Sequence, residues 1–176
     1  MKDYPGLDDA VLLGQCDVNI YKASGPGGQH RNKVSSAIRL RHRPTGITAH
    51  GSDNRSQHAN KRDALKRLRV KIACQVRRPV DLQGPLPEAT ESCLFTPKGA
   101  VAGAKKRLQV GRRDKRFWTV GQFLLDLLDV CGGRLSGAAG AIKISTSNLV
   151  TVLKQERHLY AAAQEIRKRH GRGPMK

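Results

Sequence analysis

The stretch DVNIYKASGPGGQHRNKVSSAIRLRHR, residues 17–43, places two alternating segments on either side of a glycine-rich one. In the first segment Val18 and Ile20 share one face, and in residues 37–43 apolar and basic side chains alternate. Such alternation predicts β-strands, because successive side chains of a strand point to opposite faces. The glycines and the proline of residues 24–30 exclude a strand or a helix there. The sequence therefore predicts two strands joined by a glycine-rich loop.

A third strand and a long helix complete the predicted domain. Residues 44–46, Pro-Thr-Gly, signal a turn, and residues 47–50 predict a short return strand. Residues 57–78 lack Gly and Pro and place their large apolar side chains on one helical face. These apolar residues are Leu65, Leu68, Ile72 and Val76. We therefore expect an α+β fold in which a small sheet carries a long packed helix.

The remaining positions of the predicted helix are basic. They hold eight Lys and Arg side chains against one acid, Asp63. We expect too few acids for internal ion pairs, which leaves the cations free to contact the phosphates of RNA.

The chain changes character after residue 78. Residues 79–97 contain four prolines, and residues 98–116 are small and basic, so we expect an extended linker. Amphipathic helical patterns return after residue 116 and end in a basic run. The predicted organisation is a domain over 1–78, a linker over 79–116 and a helical module over 117–176.

The helical module contains a pattern close to a helix-turn-helix. A pair of small residues at 138–139 is followed by a turn and by Ser145 as a predicted N-cap, and Lys143 occupies the turn position where Gly is usual. The second helix offers only Asn148 and Lys154 to a phosphate or base edge. We therefore favour a packed module with no DNA partner.

Composition restricts the classes of function. The 176 residues carry 33 Lys and Arg against 14 Asp and Glu, a net charge of +19 that attracts polyanions. The sequence contains no run of 18 apolar residues, so it predicts no membrane span. Its N-terminus lacks the apolar stretch of a signal peptide. The four cysteines form no Cys-x-x-Cys pair, so we expect free thiols, a cytoplasmic protein, and neither a metal nor a cofactor.

The glycine-rich segment is the candidate for chemistry. Gly27 and Gly28 permit backbone conformations and close approaches that other residues do not. The segment does not match a dinucleotide-binding fingerprint, because His30 stands where the third Gly belongs, and it lacks the Gly-Lys-Ser/Thr end of a P-loop. It also carries no carboxylate and no Ser-His-Asp arrangement.

Residues 24–30, followed by 32–37, 43–47, 53–58 and 60–61, resemble the GGQ domain of bacterial-type peptide-chain release factors and of standalone ribosome-rescue hydrolases. The resemblance covers about residues 17–78. It implies hydrolysis of the ester that joins a nascent peptide to tRNA, in the peptidyl-transferase centre of the large ribosomal subunit. The ribosome, its rRNA and peptidyl-tRNA are the partners that it implies.

The same resemblance assigns the catalytic residues Gly27, Gly28 and Gln29. The main-chain N–H of Gln29 is the donor to the developing oxyanion, and its side chain borders the attacking water. His30 is expected to contact RNA or pack rather than act as a base. We predict RNA contacts at His30 and at basic residues along the chain, namely Arg31, Lys33, Arg39, Arg41, Arg43, Arg55, Lys61, Arg62, Lys66, Arg69, Arg167, Lys168, Arg169 and Arg172.

Departures from release factors favour rescue of stalled ribosomes over reading of stop codons. Only about 16 residues precede the first predicted strand, and the tripeptides Pro-x-Thr and Ser-Pro-Phe of codon-reading factors are absent. Two alternatives remain open: a non-catalytic RNA or ribosome binder that keeps the loop, and a release factor whose codon reader is another protein. We expect a monomer.

Overall fold

The computed structural model describes residues 3–22, 35–99, 101 and 103–175. They form the predicted α+β fold, with a three-stranded sheet, a two-stranded sheet and seven helices among the described residues. The chain divides into two compact units, Met1–Ile72 and Ala73–Lys176.

An antiparallel sheet forms the centre of the first unit. Its strands are β1 (Cys16–Tyr21), β2 (Ala37–His42) and β3 (Thr48–Gly51), in the order β1-β2-β3. On β2 the side chains of Ile38 and Leu40 are buried, whereas those of Arg39 and Arg41 are exposed. All three predicted strands are confirmed to within two residues at their ends.

Helix α2 (Gln57–Gln75) supplies the other half of this core. Its buried side chains Leu65, Leu68 and Ile72 lie on the face that the sequence predicts. The helix ends three residues before the predicted Arg78, because the backbone N–H of Arg78 donates to a carboxylate oxygen of Asp126, at 3.2 Å, rather than to a helical carbonyl. A short helix, α1 (Asp9–Gly14), precedes the sheet and was not predicted.

Strand β1 lies at an edge of the sheet and is poorly covered. Val18 and Ile20 share a face, as predicted, but they are 45% and 50% exposed. Their partners on β2, Leu40 and Ile38, are fully buried. The apolar alternation therefore locates the strand correctly without marking a buried position.

The second unit contains the remaining elements. These are α3 (Glu88–Glu91), β4 (Leu94–Phe95), β5 (Arg107–Leu108), α4 (Phe117–Val130), α5 (Leu135–Ala141), α6 (Thr146–Lys154) and α7 (Arg157–Arg169). Helix α4 is buried along nearly its whole length, from Phe117 to Leu128. The other helices place side chains such as Leu153 and Ile166 in the same hydrophobic core.

Residues 79–116 differ from the extended linker that the sequence suggests. Cys93, Leu108 and Val110 are buried in the core of the helical unit. The side-chain amide of Asn148 holds β5 there, accepting from the N–H of Leu108 at 2.7 Å and donating to its carbonyl oxygen at 3.0 Å. Few but well-placed apolar residues suffice to pack this segment, and prolines alone do not reveal them. The limits of the predicted domains stay predictions.

The helix-turn-helix pattern is confirmed in α5 and α6. Ser145 caps α6 by accepting a hydrogen bond from the backbone N–H of Asn148 at 3.1 Å. Lys143, in the turn, has a φ of +56°. Among the described residues no helix is both long and apolar enough to cross a membrane.

Candidate nucleic-acid interface

The predicted catalytic residues Gly27, Gly28 and Gln29, with His30, Arg31 and Lys33, lie outside the described residues. The structure does describe the two points where their segment joins the sheet. Tyr21, the last residue of β1, pairs directly with Ala37, the first residue of β2. The glycine-rich segment therefore leaves and re-enters the sheet at neighbouring positions.

A buried asparagine fastens the second of these points. Asn60, on the first turn of α2, is fully buried and donates from Nδ2 to the carbonyl oxygens of Ser36 and Asn54, both at 2.8 Å. Its Oδ1 accepts from the N–H of Asn54 at 2.9 Å. The amide thus joins three parts of the chain: the entry to β2, the loop after β3 and helix α2.

Gly51 allows this helix to approach the sheet. A Cβ at Gly51 would lie 2.0 Å from the backbone oxygen of Asn60, closer than any two such atoms can approach. Neither residue was among the predicted site residues, although Asn60 stands in the motif that carries the resemblance. Both are positioning residues for the end of the glycine-rich segment.

The outer face of the sheet presents free positive charge. Arg39 and Arg41 are exposed and form no ion pair with a described residue. Beside them Tyr21 Oη lies 3.2 Å from His50 Nδ1, and the two rings meet edge to face. Partial burial, together with the charges of Lys71 and Arg39, lowers the pKa of His50, so the two arginines carry the charge of this face near neutral pH.

The cations of α2 fall into two groups. Lys61 and Arg62 have no acidic partner among the described residues, whereas Arg67 pairs with Asp53 and Arg69 with Asp9. The expectation that this helix lacks ion pairs is therefore wrong, since the acids come from distant parts of the chain. Lys66 makes only a long contact, 3.9 Å, with Asp63.

Arg69 and Arg43 hold the N-terminal segment. Arg69 donates to the backbone oxygens of Pro5 and Leu7 and is 17% exposed. Arg43 donates to the carbonyl oxygens of Gly14 and Cys16, at 2.6 and 3.1 Å. Both were predicted to contact RNA, and their guanidinium groups are hydrogen-bonded to other parts of the same chain, although the side chain of Arg43 stays half exposed. Arg55, by contrast, is exposed without an ionic partner among the described residues.

The basic C-terminal run is also largely engaged. Arg167 donates to the carbonyl oxygens of Gly133 and Gly173, both at 2.6 Å, and Arg172 donates to that of Gly132 at 3.3 Å. Arg169 and His170 share Asp129, and Lys168 is exposed without an ionic partner in the described part of the chain. Met175 is 5% exposed, so the last described residues fold back onto the helical unit.

A buried carboxylate secures the start of the second unit. Asp126 is fully buried on α4 and pairs with Arg77 and Arg78, each at 2.9 Å. Burial raises the pKa of this carboxyl group, and the two guanidinium groups oppose that effect. The role of this cluster is structural, because both guanidinium groups tie the segment after α2 to helix α4 within the second unit.

The cysteines offer no nucleophile. All four are free, and burial raises the pKa of each thiol, to about 11 for Cys74. A raised pKa leaves little thiolate at neutral pH. Within the described ranges no cluster of His, Cys, Asp and Glu side chains can hold a metal ion.

Comparison with known proteins agrees with this arrangement. Residues 11–90 match the family model described as the RF-1 domain. The peptide chain release factor 2 of Buchnera aphidicola is 48% identical over 73 residues, that of Neisseria meningitidis 44%, and that of Haemophilus influenzae 42%. Each match covers 39% of this chain and 20% of the relative. The similarity thus concerns one domain, a fifth of the length of those relatives.

Proposed function

We propose that the protein hydrolyses the ester of peptidyl-tRNA on the ribosome, on the premise that residues 11–90 of this chain are an RF-1 domain. This release factor-like domain carries Gly-Gly-Gln at 27–29. The observation that carries the proposal is the match over 11–90 to this family, which includes that tripeptide. The substrate is then the ester bond between a nascent peptide and the terminal ribose of tRNA.

The proposed chemistry relies on main-chain groups. Attack of water on the ester carbonyl builds negative charge on its oxygen, and a backbone N–H placed beside that oxygen stabilises the charge. Removal of one such donor typically lowers the rate by about 10²–10³-fold. In this proposal the N–H of Gln29 is the donor, and Gly27 and Gly28 permit the backbone course that brings it there. Since the segment carries no carboxylate and no Ser-His-Asp arrangement, ribosomal RNA completes the site in this proposal.

Several described residues can position the glycine-rich segment and bind RNA beside it. The buried amide of Asn60 fixes the chain where the segment rejoins the sheet. The cations Arg39, Arg41, Lys61 and Arg62, which have no acidic partner among the residues that the structure describes, lie on the same unit and can bind phosphates. Phosphate contacts of this kind orient a protein on RNA without reading its sequence.

We further propose that the protein acts on stalled ribosomes without reading a stop codon. The absence of the Pro-x-Thr and Ser-Pro-Phe tripeptides supports this part of the proposal. On this view the basic residues replace codon recognition as the source of affinity, and the complex weakens steeply as the salt concentration rises.

The test is release of labelled peptide from purified ribosomes that hold peptidyl-tRNA. Three messages are compared: one truncated at the P site, one with a stop codon in the A site, and one with a sense codon and a long downstream segment. Gln29→Ala is run beside the wild type, with Gln75→Ala as a matched control at an exposed position of α2.

We expect release on the truncated message, a reduction of about 10²-fold or more in Gln29→Ala, and wild-type release in Gln75→Ala. Release that requires a stop codon would contradict rescue and indicate a codon reader. Ribosome binding without release on any message would contradict the hydrolase and indicate a binding protein.

A further inference from the structure

A lysine-lined cleft lies in the second unit, among residues outside the segment that matches the RF-1 model. Its volume is about 660 Å³, and Lys105, Lys106 and Lys143 line it together with the hydroxyl-bearing Ser136 and Thr146. None of the described residues that line the cleft is acidic. Nothing in the proposed hydrolysis uses it.

Backbone pairing brings the three lysines together. The N–H of Lys106 donates to the carbonyl oxygen of Lys143 at 2.8 Å, and Lys106 forms a parallel bridge with Ile144. The residues just before β5 are thereby joined to the turn between α5 and α6. Residues almost 40 positions apart in the sequence are held side by side by main-chain groups rather than by chance proximity of side chains.

The charge of the cleft is uncompensated. None of the three lysines forms an ion pair with a described residue, although acids elsewhere in the protein pair with many of its cations. Like charges in one cleft repel each other, and a bound anion removes that repulsion.

Lys143 adds an independent observation. Its φ of +56° lies in the left-handed region, which strains the backbone of a residue other than glycine. Glycine would relieve this strain at the turn, yet a lysine stands there and contributes to the cleft. Strained residues of this kind concentrate at binding sites.

We propose that this cleft binds the phosphodiester backbone of single-stranded nucleic acid. Three ammonium groups on flexible stems suit successive phosphates, whereas a single fixed phosphate or carboxylate is better matched by a planar guanidinium. Among the described residues the lining contains no aromatic side chain for base stacking, so phosphate contacts carry the binding, and such contacts do not read the base sequence. The site stands without the proposed hydrolysis; only the choice of RNA as the natural ligand rests on that function.

The turn of the helix-turn-helix pattern thereby acquires a role that differs from base reading. Of the two residues that α6 offers to a phosphate or base edge, Asn148 and Lys154, the side-chain amide of Asn148 is already hydrogen-bonded to the backbone of Leu108. In this proposal the turn between α5 and α6 and the segment before β5 contact the phosphates of the nucleic acid instead of its bases.

The experiment uses the full chain and a fluorescent single-stranded RNA of about ten nucleotides, within the ~4–16 nucleotides that single-strand binding folds occupy. The Kd is measured by fluorescence anisotropy across a salt series. The test variant is Lys105→Gln/Lys106→Gln/Lys143→Gly. The control variant, Arg112→Gln/Arg113→Gln/Lys115→Gln, removes the same charge from exposed residues of the same unit outside the cleft.

We expect the test variant to raise the Kd about tenfold or more and to lower the salt slope by about 2, since each phosphate contact on a single strand contributes about 0.7. The control changes the Kd less than threefold. An equal loss in both variants would overturn the proposal. A thermal midpoint at or above that of the wild type shows that the test variant is folded.

A second measurement locates the ligand. In the ¹⁵N-labelled wild type, RNA is expected to shift the backbone amides of Lys106, Lys143 and Thr146, and single-stranded DNA of the same sequence to shift them equally. Unchanged cleft amides would overturn the proposal. Saturation by inorganic phosphate at the concentration that suffices for RNA would overturn it too, because the site would then serve a free anion. No ribosome is present, so loss of hydrolysis and loss of this site are separate outcomes.

Discussion

Single buried polar side chains set the geometry on which the proposed chemistry depends. Asn60 uses both ends of its amide, and the imidazole of His42, fully buried, is held between Thr45 Oγ1 at 2.8 Å and Gln15 Oε1 at 3.0 Å. A buried polar group left without its partner costs far more than the bond itself contributes. Such residues therefore tolerate replacement poorly, although they touch no substrate.

Asn60→Ala tests this dependence. The change leaves the carbonyl of Ser36 and the backbone of Asn54 without partners, so we expect the free energy of unfolding to fall by about 1–3 kcal/mol in urea titration. Asn19→Ala, at an exposed position of β1, is the control and should change stability by less than 0.5 kcal/mol, roughly the range of surface substitutions. Equal stability of the two variants would contradict the role of Asn60 in joining these segments.

His42 makes stability depend on pH. Burial, and then the charge of Arg43, lower its pKa below the usual 6.5, so the folded state favours the neutral imidazole. The unfolded chain binds the proton more readily, and the contribution of His42 is complete above pH 6.5 and is lost as the pH falls below it. We expect unfolding midpoints in urea to decrease from pH 7 to pH 5.

The control for His42 is the exposed His58. Replacement of His42 by Gln should flatten the pH dependence, whereas His58→Gln should retain it. A profile as steep in His42→Gln as in the wild type would contradict the assignment; His50, whose pKa is also lowered, leaves a residual slope in every variant.

Helix α2 shows which properties of a helix can be predicted from its own residues and which cannot. The apolar face and the starting residue Gln57 were predicted, because both follow from local spacing. The pairing of its cations was not, since Asp9 and Asp53 are far away in sequence and only the fold brings them near. A count of charges within a helix therefore says little about which charges are free.

At the turn between α5 and α6, the backbone conformation favours glycine, whereas the sequence has Lys143. Lys143→Gly should raise the free energy of unfolding by roughly 1 kcal/mol, because glycine adopts the observed φ without strain. Lys66→Gly, the same substitution within α2, should lower it by about 1 kcal/mol. Chemical denaturation of the two variants gives the comparison, and a destabilised Lys143→Gly would contradict the strain at this turn.

Over the full chain, the fold class and the main helices and strands were predictable, and the packing of residues 79–116 was not. Periodicity reveals the longer elements, whereas α3, β4 and β5 span only four, two and two residues, and β5 is held by the contact of Asn148 with Leu108. The candidate catalytic residues came from the motif at 24–30. The residue that fastens its end, Asn60, became visible as such only once its three partners were placed.

The charge of +19 likewise has two parts. Guanidinium groups such as those of Arg43, Arg69 and Arg167 donate to carbonyl oxygens and hold distant segments together. Others, among them Arg39, Arg41 and the half-buried Lys61, have no acidic partner within the described part of the chain. Net charge predicts attraction to a polyanion, but only the second part is available to bind one.

The four shielded thiols make the native protein a convenient chemical background. Burial raises the pKa of every cysteine, so maleimide reagents, to which thiolates add, meet little reactive sulfur at neutral pH. A cysteine introduced at an exposed position, for instance Ser35→Cys next to the glycine-rich segment, would be the preferred point of attachment for a dye or spin label. A spectroscopic reporter can therefore be placed beside that segment while all four native cysteines are retained.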